Sequence, residues 1–328
     1  MAALLTSLIF SFLFGNWFIQ KSSQFFKSGP REHTPENHQK KGNMPSMGGI
    51  FILANVLISI LLWNNLSDIK VWLMFFCLVI FGLIGLLDDI NKIKKKKGIS
   101  ARGKFLLQAG SAALIIIGWL YLAHPETTIC FPFFKHFQPN IGLFIIPWAI
   151  FIIVGCSNAV NLTDGLDGLA ISSLILNFMT FALISYFAGN IIISTYLNIP
   201  FAACAELTII GGSLIGASLG FLWYNTYPAQ IFMGDVGALS LGAGLGLMAL
   251  MTKQEILLII SGGLFVMETL SVIIQVLSFR YLKRRMFKMA PLHHHFELMG
   301  WPESKITVRF AIISIILCMV ALMTLKMR

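Results

Sequence analysis

The chain has 328 residues, of which 57% are hydrophobic and 12% charged, and its formal net charge is +10. A soluble domain carries about twice that charged fraction, so the composition excludes an ordinary soluble protein and indicates one that crosses a membrane many times. The basic excess does not imply nucleic acid: no basic stretch is interleaved with aromatics and no recognition motif is present, whereas basic loops beside apolar spans reflect orientation and attraction to anionic head groups of membrane lipid.

Ten apolar stretches are long enough to span as helices, at about 2–20, 47–66, 71–88, 105–123, 141–160, 168–187, 199–223, 237–252, 256–281 and 305–325. The eighth is short and Gly-rich. The first run has no basic residue before it, and Lys21 comes after it. That pattern favours an uncleaved first span over a cleaved signal peptide. No hydrophilic segment can fold alone, so the expectation is an all-α polytopic membrane protein, with residues 1–328 forming a single transmembrane catalytic domain.

An even number of spans puts both termini on one side. The segments 21–45, 89–104 and 280–309 hold 19 of the 24 Lys and Arg residues. The positive-inside rule makes those segments cytoplasmic and both termini external. The other five (Lys70, Lys135, Lys253, Lys326 and Arg328) fall on the opposite side. The segment 124–140, with Pro125, Pro132 and Pro139, is an external loop.

Gly212, Gly216 and Gly220 form a small-residue ladder in the seventh span, and Gly242, Gly244 and Gly246 lie in the eighth. Both predict close helix packing rather than a phosphate-cradling loop, which needs a Lys-Ser/Thr end or a preceding strand. The five cysteines show no metal spacing and read as small buried hydrophobes.

Under this topology every dense polar cluster falls on the cytoplasmic side. Asp88-Asp89 closes the third span, and Lys104 opens the fourth. The stretch Asn158-Ala-Val-Asn161-Leu-Thr-Asp164-Gly-Leu-Asp167-Gly joins the fifth to the sixth. Its Asn158, Asn161 and Asp164 recur every third residue and share a helix side. Asn225 and Phe232-Met-Gly-Asp235 separate the seventh from the eighth, and Pro291-Leu-His293-His294-His295-Phe-Glu297 separates the ninth from the tenth. Adjacent carboxylates suit a divalent metal or proton transfer. Hard oxygens near phosphate suggest Mg²⁺, which takes one or two carboxylates plus substrate oxygens and water. Three adjacent histidines cannot all face one ion, so they suit contact with a polar substrate rather than zinc. Lys41 and Lys104 are candidate phosphate contacts, while the run 94–97 is a solvated basic turn. Glu206 and Glu268 read as acids buried within spans, with Gln275 or neighbouring hydroxyls as partners for Glu268. Carboxylates, lysines and amides in an apolar surround fit phosphoryl transfer from a soluble donor to a lipid acceptor, where positioning and charge neutralisation do most of the work.

On these motifs, together with Pro45-Ser-Met-Gly-Gly and Gly85-Leu-Leu-Asp88-Asp89, the chain resembles the phospho-N-acetylmuramoyl-pentapeptide transferases. These belong to the polyprenyl-phosphate N-acetylhexosamine-1-phosphate transferases. The resemblance runs from about Lys41 to the last span, and the triple-His loop marks the muramoyl-pentapeptide branch. It implies ten spans with external termini in a bacterial inner (cytoplasmic) membrane and a cytoplasmic-facing cleft. It also implies that undecaprenyl phosphate attacks UDP-N-acetylmuramoyl-pentapeptide to give UMP and lipid I, a peptidoglycan precursor, with Mg²⁺ required. By position, it implies Asp88 as base on the lipid phosphate, Asp89 as support for metal or phosphates, and Asp235 as principal Mg²⁺ ligand with Asp164 as a second. Matching leaves open which of Asp88 and Asp89 is the base. It assigns Lys41 and Lys104 to phosphates, and Asn158, Asn161, Asp164, Asn225 and Phe232 to nucleotide or pocket organisation. His293, as a catalytic residue, and His294 and His295, as substrate contacts, would face the sugar or diphosphate. Two departures stand out. The usual Gly-Thr-Pro-Thr-Met-Gly-Gly reads Gly42-Asn-Met-Pro-Ser-Met-Gly-Gly, so an offset of one would choose Lys40 over Lys41. The usual Gly-Ser after the last Asp is Gly237-Ala238.

Two other readings predict different behaviour. A sister enzyme would use UDP-N-acetylglucosamine, and an ion-coupled transporter would distribute its acids at mid-bilayer and on both faces. A homodimer through an apolar face is compatible with the sequence.

Overall fold

The computed structural model describes residues 1–25, 44–134 and 137–326, and Lys40 and Lys41 lie outside them. The described chain is helical, with no strand among these residues. In order, the helices are α1 (Ala2–Phe25), α2 (Gly48–Trp63), α3 (Ile69–Lys95), α4 (Ala101–Ala123), α5 (Ile145–Thr163), α6 (Leu169–Ala188) and α7 (Ile191–Leu197). They continue with α8 (Glu206–Asn225), α9 (Gly234–Met251), α10 (Glu255–Ser261), α11 (Gly263–Leu282), α12 (Leu292–Glu297) and α13 (Glu303–Thr324).

Nine of the described helices are long and apolar enough to cross a membrane, against ten expected. The shortfall is α2, whose 16 residues reach roughly 24 Å at 1.5 Å per residue. Its start is held back by backbone pairing. The Gly48 and Gly49 amides donate to the Phe232 and Met233 carbonyls at 2.9 and 2.8 Å, and the Phe232 amide donates to Pro45 O at 3.0 Å. The expected span 256–281 is also divided. Gly262 closes α10, its amide bonding to Leu258 O at 2.8 Å, and the Gly262-Gly263 pair restarts the chain as α11. The short helix α7, which the sequence did not signal, is capped by Asn190, whose Oδ1 accepts from Ile192 and Ile193.

The Gly-rich eighth span is the centre of the molecule. Every residue of α9 is buried, and it packs against α2, α3, α5 and α6. Its glycines set the distances. A Cβ on Gly242 would meet Cys156 O and the Ser157 Cα at 2.8 Å, so α5 lies backbone against backbone on α9. The Gly216 and Gly220 ladder of α8 receives α1, and Ser7 Oγ donates to Ser213 O at 3.0 Å across that contact. The cysteines are all free, and four of the five are buried. Burial pushes the Cys130 thiol up to about 12, which leaves it inert.

The two ends of the bundle differ in chemistry. Asp88 and Asp89 lie near the end of α3, and Asp235 lies at the start of α9. At the far end, Lys70 and Lys253 line one cavity of about 240 Å³ with His124 and Glu126. Lys70 Nζ donates to Ala202 O and Ala203 O at 2.8 and 2.7 Å, and Lys326 Nζ donates to Tyr196 Oη on α7 at 2.6 Å. The two ends of the 124–140 loop pair, Ile129 N donating to Pro139 O and Ile141 N to Thr127 O. Glu206, expected within a span, instead sits half-buried at the start of α8 and accepts from Asn64 Nδ2 and Asn65 N at 3.1 and 3.0 Å.

Gly49 has no room for a side chain, because a Cβ there would fall 2.8 Å from Val236 C and closer still to Gly237. Gly49→Val should lower stability by about 1–3 kcal/mol or more through overpacking, seen as a reduced melting temperature of the detergent-purified protein.

Candidate active site

The adjacent carboxylates of Asp88 and Asp89 and the remote carboxylate of Asp235 are drawn together by two ammonium groups. Lys92 Nζ lies 3.0 Å from Asp88 Oδ2, 2.8 Å from Asp235 Oδ1 and 3.8 Å from Asp89 Oδ1. Lys104 Nζ lies 3.1 Å from Asp88 Oδ2 and 2.5 Å from Asp235 Oδ2. All three aspartates are buried. The Lys104 side chain is 17% exposed and that of Lys92 44%, so only the second has freedom to move.

The surrounding backbone explains the convergence. Asp88 and Asp89 end the apolar part of α3. Gly85, one turn earlier, lets α9 approach so closely that a Cβ there would lie 2.6 Å from the Val236 Cα. Asp88 Oδ1 accepts from the Ile99 amide at 2.6 Å. Gly98 lets that turn pass, since its Cβ would come within 2.5 Å of the same oxygen. Ser100 caps α4 by accepting from Gly103 N at 3.2 Å, which aims the first turn of α4, and so Lys104, at the cluster. Asp89 Oδ2 accepts from the Val236 amide at 3.3 Å, where the free N–H groups of a helix start favour a negative charge. Gly234 turns into α9 at φ 73°, beside the same oxygen.

One turn beyond Lys104, the buried Gln108 accepts at Oε1 from Asn158 Nδ2 at 2.8 Å. This pair ties α4 to α5 and fixes the first member of the Asn158, Asn161, Asp164 series. Asn161 and Asp164 are half-buried further along, with Asp164 ending α5. The next residue, Gly165, lies against the His293 ring, and a Cβ there would fall 2.8 Å from its Cε1.

The histidines separate. Glu268 Oε1 accepts from the His293 amide at 3.2 Å and lies 3.3 Å from its Nδ1, both residues being buried. His294 Nδ1 meets Glu297 Oε2 at 2.6 Å, and His295 Nδ1 accepts from Lys288 N at 3.1 Å. Glu268 therefore pairs with His293 rather than with Gln275. The Gln275 amide instead shapes the turn before the histidines, through Met286 N, Phe287 N and Phe287 O.

Asn225 and Asp167 turn inward. Asn225 Oδ1 accepts from Gly168 N at 3.0 Å and its Nδ2 donates to Ile231 O at 2.8 Å. Asp167 Oδ2 accepts from Ala229 N at 3.0 Å, and its own amide donates to Glu303 Oε1 at 2.8 Å. Both organise the 226–232 loop that delivers Phe232 and Asp235. Phe232 is half-buried, and its backbone pairs with the Pro45-Ser-Met-Gly-Gly turn as described above.

Sequence reasoning passed over Lys92 and Gln108. The signal for Lys92 was its place three and four residues after the two acids, on the same helix face. Gln108 stood four residues after Lys104. The oxygens gathered here are hard ligands of the kind divalent cations prefer. Yet among the described residues no three His, Cys, Asp or Glu form a ready metal cage, and ammonium groups contact the carboxylates.

A membrane-embedded helical bundle with this acidic cluster at one end is a glycosyl transferase of family 4, whose family model matches residues 71–253. Over 330 aligned positions, covering 99% of this chain and 92% of the relative, the sequence is 49% identical to the phospho-N-acetylmuramoyl-pentapeptide-transferase of Citrifermentans bemidjiense. The chain belongs to that family, as its motifs implied. It is a multi-pass membrane phosphoglycosyl transferase, which sets aside the ion-coupled transporter.

Asn225→Leu would strand the buried Gly168 amide and Ile231 carbonyl. Leaving such groups unpaired costs about 1–3 kcal/mol each, so the variant should melt earlier than wild type, as measured by thermal unfolding in detergent.

Proposed function

We propose that this enzyme transfers phospho-N-acetylmuramoyl-pentapeptide from its UDP carrier to undecaprenyl phosphate, releasing UMP and forming lipid I for peptidoglycan. The observation that carries this reading is the Asp88, Asp89, Asp235 cluster held by Lys92 and Lys104 beside lipid-facing side chains. Leu87 and Phe105, the neighbours of Asp88 and Lys104, are 53% and 56% exposed. A polyprenyl chain can thus stay in the bilayer while its phosphate enters the cluster. The name of the 49% identical relative supplies the donor, and the triple-His loop supports it over UDP-N-acetylglucosamine.

In this mechanism Lys104 draws the anionic phosphates in. Asp88, its Oδ1 accepting from the Ile99 amide and its Oδ2 lying against Lys92 and Lys104, takes a proton from the lipid phosphate. The carboxylates of Asp235 and Asp89 would hold Mg²⁺, with Asp164 as a further candidate ligand. When bound, that ion neutralises the diphosphate and stabilises departing UMP. Asn158, oriented by Gln108, and Asn161 offer amides to the uridine or sugar. His293, seated on Glu268, and its neighbours His294 and His295 face the sugar–diphosphate end. Lys41 adds a phosphate contact, and Phe232 and Asn225 shape the nucleotide side of the pocket.

The cluster faces the cytoplasm of a bacterial inner membrane, and both termini face outward. The charge count and the chemically distinct ends of α3 and α9 support that orientation. A homodimer through lipid-facing helices is compatible with this arrangement.

Asp88→Asn, Asp89→Asn and Asp235→Asn should each reduce Mg²⁺-dependent UMP release at least 100-fold, in line with the loss of general acid–base or charge-stabilising groups. Melting temperature in detergent serves as the folding control. Full turnover in all three would overturn the assignment, and faster turnover with UDP-N-acetylglucosamine would move the enzyme to the sister branch. For orientation, a Lys94→Cys variant should react with an impermeant maleimide only in broken cells, and a Phe201→Cys variant in intact spheroplasts. The reverse pattern would invert the topology.

A further inference from the structure

The end of the bundle away from the acidic cluster carries a polar site of its own. Lys70, from the first turn of α3, and Lys253, in the turn after α9, line the cavity of about 240 Å³ together with Trp119 of α4. Lys253 is only 6% exposed. Its ammonium donates to Glu126 O and stands 5.5 Å from the centre of the Trp119 ring. The Lys70 ammonium donates to the Ala202 and Ala203 carbonyls. The ion pairs among the described residues include neither lysine. Burying a cation without a paired anion is costly. Burial accordingly pushes the Lys253 amine below its usual value, with Glu255 and Glu126 opposing from beyond ion-pair distance.

Donors outnumber acceptors in this cavity. An ammonium offers three N–H groups, so Lys253 keeps two beyond its carbonyl partner and Lys70 keeps one. Trp119 adds another. It is 2% exposed, and its Nε1 has no hydrogen-bond partner among the described residues, although buried indole N–H groups ordinarily find an acceptor. Two lysines against the single carboxylate of Glu126 leave the lining with one net positive charge. The rim faces lipid: Phe76 of α3, Tyr121 and Leu122 of α4 and Phe201 at the cavity mouth are all exposed. Trp72, Phe75 and Phe76 pack ring against ring just beyond Lys70, and aromatics of this kind gather where a bilayer meets water.

We propose that this cavity binds the phosphodiester of a singly anionic membrane phospholipid, whose acyl chains lie along the exposed side chains of α3 and α4. The Lys70 and Lys253 ammonium groups and the Trp119 indole N–H donate to its non-ester oxygens. The site stands at the opposite end of α9 from Asp235, roughly 27 Å away for an 18-residue helix. It does not depend on the transferase reading.

The test uses full-length protein stripped of lipid in an uncharged detergent. Binding of dioctanoyl phosphatidylglycerol is followed by native mass spectrometry, with melting temperature as the folding control. Wild type should take up one lipid per chain. Lys253→Met should weaken that binding about tenfold, the loss of one hydrogen bond to a charged group. Trp119→Phe, which keeps the ring and removes only the N–H, should weaken it several-fold even if Lys253→Met fails to fold. Lys326→Met, at the same end but outside the cavity, should bind like wild type. In wild type alone, the lipid should lower reductive methylation of the Lys70 amine several-fold, with Lys326 as internal reference. Dioctanoyl phosphatidylcholine should bind more weakly, and neither inorganic phosphate nor glycerol phosphate should compete. Unchanged affinity in Trp119→Phe, unprotected Lys70, or equal binding of phosphatidylcholine would each overturn the proposal. Displacement of the lipid by inorganic phosphate would overturn the lipid as occupant and assign the cavity to a free anion.

Discussion

The whole arrangement depends on compensating buried charge at the end of a helix that never touches lipid. Three carboxylates inside a largely apolar bundle cannot remain ionised alone. Lys92 and Lys104 neutralise two of the three charges, leaving a net negative cluster that attracts cations. Because the acids come from α3 and α9 and the lysines from α3 and α4, the balance exists only when those three helices are docked. Chemistry and fold are therefore tied to the same contacts.

Those contacts are backbone contacts. Gly49 meets Gly237, and Gly85 meets the Asp235–Val236 peptide. The turn at 45–49 is hydrogen bonded to Phe232 and Met233. The Pro45-Ser-Met-Gly-Gly motif thus holds the peptide that carries Asp235. The same holds for Asp167 and Asn225. Their side chains bind the backbone of the 226–232 loop and its neighbours, and they act on the site through the position of Phe232 and Asp235.

Much of this was legible in the sequence, and the gaps have physical reasons. Hydropathy located the spans because lipid demands long apolar helices, and the Asp88-Asp89 pair stood out because acids are rare there. Hydropathy could not find the shortened α2, which arises from backbone pairing with Phe232 and Met233, and it ran through the Gly262-Gly263 break because the residues on either side stay apolar. The α9 glycines made that helix look insecure as a span, although glycine is what lets five helices meet at the centre. Lys92 was lost among basic neighbours, and only its i+3 and i+4 relation to the acids set it apart. The partner of Glu268 was unreadable, because His293 lies 25 residues away on another helix.

The close seating of α9 also bears on how the bundle responds to change. From Asp235 to Met251 this helix is enclosed on all sides, with α5 pressed onto it at backbone distance. Any side chain enlarged along it has to be accommodated by several neighbouring helices at once, so a disturbance deep in the column is felt at the acidic end that α9 carries.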